Sequence, residues 1–236
     1  MEKEIKIFDD YVKSFDLSNE KIKNKYNHSF RVMKRAEEIA KSLNLNEEDI
    51  HIASLAGLLH DIGRFNQVKY YDTFEDKKSF DHGDEGYRVL ETEIKKYTNN
   101  KQEASIVLLA TKYHNKLEIG EVEEKTKLFC NIVRDADKLD IMETQCNEIP
   151  ESICLKSELL EDVYNKRMCR NEYCETETDY IIRMLDWIFD LNFDYSFQYL
   201  KKHSIIENKF KLLSTYGKSE ELKKLENFIY ENIEKR

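Results

Sequence analysis

The sequence predicts an all-α protein. With only 6 Gly and 1 Pro in 236 residues, the chain has few turn signals, which favours long helices joined by short connections. Apolar residues recur at three- and four-residue steps along most of the chain, and no strand-type alternation runs long enough to need a sheet. The length suffices for one large domain, or one domain with an appendage, with a substantial buried core.

The elements follow in order. Asn19 to Leu43 predicts one long helix whose apolar stripe is Ile22, Tyr26, Phe30, Met33, Ala36, Ile39, Ala40 and Leu43. Ser18 or Asn19 caps it, and Asn44-Leu45-Asn46 ends it. Asn46 ahead of Glu47-Glu48-Asp49 starts a second helix, Glu47 to about Asp61, with acids where the helix dipole favours them. That helix is almost wholly apolar from Ile52 to Leu59, so it is expected to be buried on several faces. Gly57 would permit close helix packing, and Gly63 would stop the helix. Residues 64–80 lack a clean period and read as an irregular loop, of a length that is often functional. Helices are expected at 82–97, 101–115 and 121–142. Pro150, after the 143–149 connector, would begin the next. Helical periods return at 152–164, 175–191, 193–202, 205–216 and 219–233. The expected organisation is a helical domain over residues 1–150, with a C-terminal helical extension, 151–236, packed on the same domain.

Charge and cysteine content narrow the function. Lys and Arg number 38 against 47 Asp and Glu, a net charge of −9, which argues against a general binder of nucleic acid or anionic membrane. No apolar run is long enough to span a bilayer, and Met1-Glu2-Lys3-Glu4-Ile5-Lys6 lacks the apolar run of a secretory signal. The cysteines are odd in number, five, with no Cys-x-x-Cys spacing, as expected of reduced thiols in a cytoplasmic protein.

The chemistry concentrates on Leu58-Leu59-His60-Asp61-Ile62-Gly63, where two ionisable groups end a strongly apolar helix. Burying them costs on the order of several kcal/mol unless a charge compensates. A divalent metal does so, because imidazole and carboxylate are both good ligands. Further candidates lie on neighbouring helices: His28, His82, His114, and the aspartates of Val133-Arg134-Asp135-Ala136-Asp137-Lys138-Leu139-Asp140. Inward-pointing side chains on separate helices are how a bundle builds an interior site. Each also has an ordinary reading. His28 fits a hydrogen-bonded boundary residue, His82 a first-turn residue behind an Asp81 cap, and His114 a helix C-terminus. Asp135 and Asp140 fit solvated positions. Together, on five successive helices, they favour a site. His51, on the opposite side of the helix from His60, and His203 in a polar junction receive no role.

His28, the His60-Asp61 doublet and Asp137 in Ala136-Asp137-Lys138-Leu139 resemble the signature of the HD superfamily of metal-dependent phosphohydrolases. The resemblance covers roughly Tyr26 to Asp140. It implies an all-α HD-domain helical bundle, with additional C-terminal helices, in which these residues bind a divalent metal that activates water for attack on phosphorus. Asp137 matches the family's aspartate, with Asp140 as the fallback. His82, followed by Gly86 and Val89-Leu90, and His114 fall where some branches add two histidines for a second metal. The resemblance then implies His28, His60, Asp61 and Asp137 on one ion and His82, His114 and a bridging Asp61 on the other. The Gly-Tyr-Pro element of the HD-GYP branch is missing, so a cyclic dinucleotide is not supported. A shell rich in histidine suits Mn, Fe, Co, Ni or Zn better than Mg. Asp61, Arg64 and Lys138 are the candidate catalytic residues: Arg64 as a phosphate clamp or a surface ion pair, Lys138 as a helper or a neutraliser of Asp135. The expected substrate is a small phosphorylated metabolite or nucleotide, cleaved as a monoester or diester. The alternatives are a mixed-valent di-iron oxygenase of the same superfamily and a non-catalytic nucleotide-sensing module. Oligomeric state is open.

Overall fold

The structure is a computed structural model that describes residues 1–236, and every regular element in it is helical. The chain divides into two compact units, Met1–Asp140 and Ile141–Arg236.

The first unit contains α1 (Glu2–Val12), α2 (Glu20–Ser42), α3 (Glu47–Leu59), α4 (Ile62–Tyr71), α5 (His82–Tyr97), α6 (Lys101–Tyr113) and most of α7 (Glu124–Thr144). Side-chain caps set the helix starts. Asn19 accepts from the Lys21 amide, Asn46 from Asp49, Asp81 from Gly83 and Asp84, and Asn100 from Gln102 and Glu103. Each such cap is worth about 1 kcal/mol. The apolar run of α3 is buried without a break from Ile52 to Leu59. It packs between α2 and α6, while α5 packs on α4 and α6. Gly57 is the close-approach point, since a Cβ there would lie 3.0 Å from Ala36 Cβ, Met33 Cα and Val32 O. The core runs through Phe8, Leu55, Leu58, Ile62, Phe65, Leu90, Val107 and Val133.

Three expectations change in the first unit. Helix α1 adds to the expected elements; it is only 11 residues long, and it anchors through buried Phe8 and Val12. Residues 64–80 are not one irregular loop, because α4 extends to Tyr71 and a 3-10 turn covers Asp76–Lys78. Helix α4 buries Ile62, Gly63, Phe65, Gln67 and Val68, and a helix covered on more than one face shows little amphipathic period. Gly63 accordingly does not stop α3. It sits in the first turn of α4, where a Cβ would lie 2.5 Å from Gly86 N and closer still to His82 O.

The second unit contains α8 (Ser157–Tyr164), α9 (Glu177–Asp186) with a 3-10 turn at Trp187–Phe189, α10 (Asp194–Lys202), α11 (Ile205–Leu213) and α12 (Glu220–Ile233). Thr176 and Asp179 form a capping box on α9. Pro150 does not begin a helix; α8 starts only at Ser157. The connector after α7 is instead pinned by buried Lys209, whose Nζ donates to Cys146 O at 2.9 Å and Asn147 Oδ1 at 2.8 Å.

Candidate metal centre

Helix ends deliver most of the candidate ligands of the first unit. His60 is the C-cap of α3, Asp61 the N-cap of α4, His82 the first residue of α5 and His114 the C-cap of α6. His28 and Asp137 come from within α2 and α7. The four histidines and Asp61 are buried, and the Asp137 side chain is 17% exposed.

The Nδ1 atoms of the four histidines fix their tautomers. His60 Nδ1 donates to Gly57 O at 2.8 Å and His114 Nδ1 to Thr111 O at 2.7 Å. His28 Nδ1 donates to Asp140 Oδ2 at 2.6 Å, and His82 Nδ1 to Asp76 Oδ2 at 2.7 Å. With each Nδ1 acting as donor, a neutral ring presents a lone pair at Nε2. Those lone pairs meet: His28 Nε2 is 3.2 Å from His60 Nε2, and His82 Nε2 is 3.0 Å from His114 Nε2. Two lone pairs at such a distance repel unless a proton or a metal ion lies between them.

Asp61 faces both histidine pairs. Its Oδ2 lies 3.4 Å from His28 Nε2 and 3.5 Å from His60 Nε2. Its Oδ1 lies 3.4 Å from His114 Nε2 and 3.6 Å from His82 Nε2. Asp137 Oδ1 joins the first group at 3.0 Å from His28 Nε2 and 3.5 Å from His60 Nε2. That oxygen is buried and has no hydrogen-bond partner, so it is an orphaned acceptor aimed at the same point. Two ligand sets suited to a metal ion result, His28–His60–Asp137 and His60–Asp61–His114, each with its ligand atoms within 4.8 Å of one another.

The electrostatics agree. Burial would raise the Asp61 and Asp137 carboxyls, yet both are held well below the usual range, Asp61 by Lys25 and His60 and Asp137 by His28 and His60. Burial and Lys25 push His28 down, but Asp137, Asp140 and Asp61 outweigh them and raise it to about 10. A proton can therefore sit between His28 and His60. Burial and the Arg64 charge instead push His82 down to about 4, so that ring is neutral near pH 7 and its Nε2 stays open to a metal. The donor set, four imidazoles and two carboxylates, fits borderline divalent transition ions.

Of the candidate catalytic residues, Arg64 is at the site and is not a surface ion pair. Its side chain is 13% exposed, with Nη1 donating to Gln67 Oε1 and Phe74 O, both at 2.6 Å. Its Nε is buried without a hydrogen-bond partner, 3.6 Å from Asp61 Oδ1. Lys138 is buried one position beyond Asp137, about 100° further round the helix. Asp135 and Asp140 are both fully buried, not solvated. Asp140 holds the far nitrogen of His28 and accepts a fork from Arg31 at 2.6 and 2.9 Å.

Three contributors escaped the sequence reading. Asp76 orients His82 while pairing with Arg64 at 3.1 Å. Arg31 holds Asp140. Lys25 places Nζ 2.6 Å from Asp61 Oδ2. A signal existed for Lys25 and Arg31: each is three residues from His28, a spacing that shares one helix face. Asp76 opens a three-residue 3-10 turn, too short for any such periodicity to mark it.

An all-helical unit that brings three histidines and two aspartates into a pair of ligand sets, with His82 against His114, defines a helical protein with a candidate divalent-metal centre. The model of the HD domain family matches residues 26–142, and that segment is an HD domain. The match begins ahead of His28 and ends beyond Asp137 and Asp140. No curated protein and no solved structure matches the chain. No helix is long and apolar enough to cross a membrane.

Proposed function

We propose that this protein is a metal-dependent phosphohydrolase, a phosphomonoesterase or phosphodiesterase that acts on a small phosphorylated metabolite or nucleotide. The observation that carries the reading is Asp61, whose two oxygens face two histidine pairs with opposed Nε2 lone pairs. In this reading His28, His60, Asp61 and Asp137 hold one divalent ion, and His82, His114 and Asp61 a second. Such ions supply Lewis acidity, lowering the pKa of water and drawing charge from phosphoryl oxygens.

The chain's own residues do the rest. Asp140 and Asp76 fix the rings of His28 and His82 so that Nε2 faces inward. The unpartnered Nε of Arg64 supplies a charged donor for a phosphate oxygen, and the contacts of Nη1 keep the guanidinium in place. Lys138, beside Asp137, adds positive charge against the buried aspartates. The acidic balance of the chain favours a small substrate over nucleic acid. All five cysteines are free, in keeping with a reducing, cytoplasmic setting.

The test is phosphate release from p-nitrophenyl phosphate, bis-p-nitrophenyl phosphate and a nucleotide panel, with Mn²⁺, Co²⁺, Ni²⁺ or Mg²⁺ added in turn. Metal-dependent release that is lost in Asp61→Ala supports the reading. Release by Asp61→Ala equal to wild type overturns it. Oxygen consumption by the iron-loaded protein, with no phosphate release, would replace it with the oxygenase.

A further inference from the structure

Lys25 stands one helical turn before His28 on α2, and its ammonium takes the same Asp61 oxygen that faces His28 and His60. At 2.6 Å this is the shortest contact Asp61 makes. The lysine side chain is 13% exposed, so it lies at the rim of the centre and not inside it. The Phe74 ring lies 5.3 Å from Lys25 Nζ and also 5.7 Å from the Arg64 guanidinium carbon. Two cations thus flank Asp61, one at each oxygen, and both approach a single aromatic ring.

An ammonium and a divalent ion compete for that oxygen. Both are drawn to the same lone pairs, and like charges a few ångströms apart in a partly buried site repel strongly. Lysine is suited to giving way, because its charge rides on a flexible four-carbon stem. From the rim, the displaced ammonium keeps favourable contact with Phe74 and still reaches an anion lying against Asp61's metals. On the other side Arg64 is tied down by Gln67 and Phe74 O. Lys25 is therefore the movable cation of the two.

We propose that Lys25 is a displaceable cation with two roles. Before metal binding it neutralises Asp61, and afterwards it binds an oxygen of the substrate phosphoryl group opposite Arg64. This rests on the metal-centre reading above and adds to it a residue outside the ligand set. The consequence is a two-sided signature. Removing the charge favours metal and disfavours the anion, whereas a lysine that merely braced Asp61 would leave both weaker or unchanged.

The experiment compares wild type, Lys25→Met and Lys25→Arg by calorimetric titration. Mn²⁺ is titrated first, and inorganic phosphate is then titrated into the Mn²⁺-loaded proteins. Methionine keeps the length and packing of the stem, and arginine keeps the charge. Lys25→Met is expected to bind Mn²⁺ about tenfold tighter and phosphate about tenfold weaker, while Lys25→Arg retains phosphate binding within about threefold of wild type. Mn²⁺ binding by Lys25→Met that is equal to or weaker than wild type overturns the displacement role. Unchanged phosphate affinity overturns the anion role. A wild type that binds no Mn²⁺ at all would overturn the metal-centre reading itself, a failure distinct from these two.

Discussion

Asp140 Oδ2 lies 2.6 Å from His28 Nδ1, joining residues on α2 and α7, and Arg31 locks the same carboxylate from its other side. The contact sets which nitrogen of His28 carries the proton, and it therefore makes Nε2 the inward-facing lone pair. Partners of this kind typically change metal affinity by about 10- to 100-fold. Asp140→Ala is expected to weaken Mn²⁺ binding by about that factor, measured by calorimetric titration. An unchanged affinity would mean that His28 is held by packing alone.

Asp76 plays the corresponding part for His82, but from the short 3-10 turn between α4 and α5, and it also pairs with Arg64. Asp76→Ala should weaken the ion assigned to His82 and His114 while sparing the one assigned to His28, His60 and Asp137. Two binding phases would separate in the titration, with only one displaced by about 10- to 100-fold. Equal weakening of both phases would show that the two ligand sets do not act separately.

Gly63 is required by packing rather than by backbone conformation. A Cβ at this position meets backbone atoms of His82 and Gly86, which cannot yield as a side chain can. Gly63→Ala must push α4 away from α5, moving Asp61 relative to His82. Overpacking of this kind costs about 1–3 kcal/mol, to be read from urea unfolding, and metal affinity should fall with it. A variant as stable as wild type would contradict the packing.

The second unit offers a pH test independent of any metal. Asp186 is buried and accepts from the Cys169 amide at 2.7 Å, while its Oδ1 has no partner. Burial pushes its carboxyl up, the charges of Asp162 and Asp190 add to this, and the Cys169 amide only partly opposes them, leaving a pKa of about 7 against an ordinary 3.8. The folded pKa is the higher one, so the group contributes stability below 3.8 that is lost as pH rises through about 7. Asp186→Asn should be insensitive to this loss. The stability difference between variant and wild type is expected to move in the variant's favour from about pH 5 to about pH 8 in urea unfolding. A difference equal at both pH values would place the carboxylate in its charged form throughout.

Much of the centre was legible because its donors sit at helix ends that sequence patterns mark. The apolar run Ile52–Leu59 and the Asn46 and Asp81 caps locate α3 and α5, and with them His60, Asp61 and His82. The period of α2 carries His28 inward. The sequence was less informative where burial on more than one face erases periodicity. Helix α4 vanished into an expected loop for that reason, and the packing role of Gly63 vanished with it. Asp140, fully buried though charged, looked like a solvated residue because its partners, His28 and Arg31, are more than a hundred positions away. Lys25 was hidden differently, since a lysine on a charged helix face looks like solvent-facing charge until the fold brings Asp61 to it.

The central claim is that one carboxylate, Asp61, serves two metal sites. Metal content of wild type and Asp61→Ala, measured after Mn²⁺ loading and desalting, tests it most directly. The account predicts about two ions retained per wild-type chain and loss of both in Asp61→Ala, with the variant's fold confirmed by its helical circular dichroism. Wild-type metal content in a folded Asp61→Ala protein would contradict it.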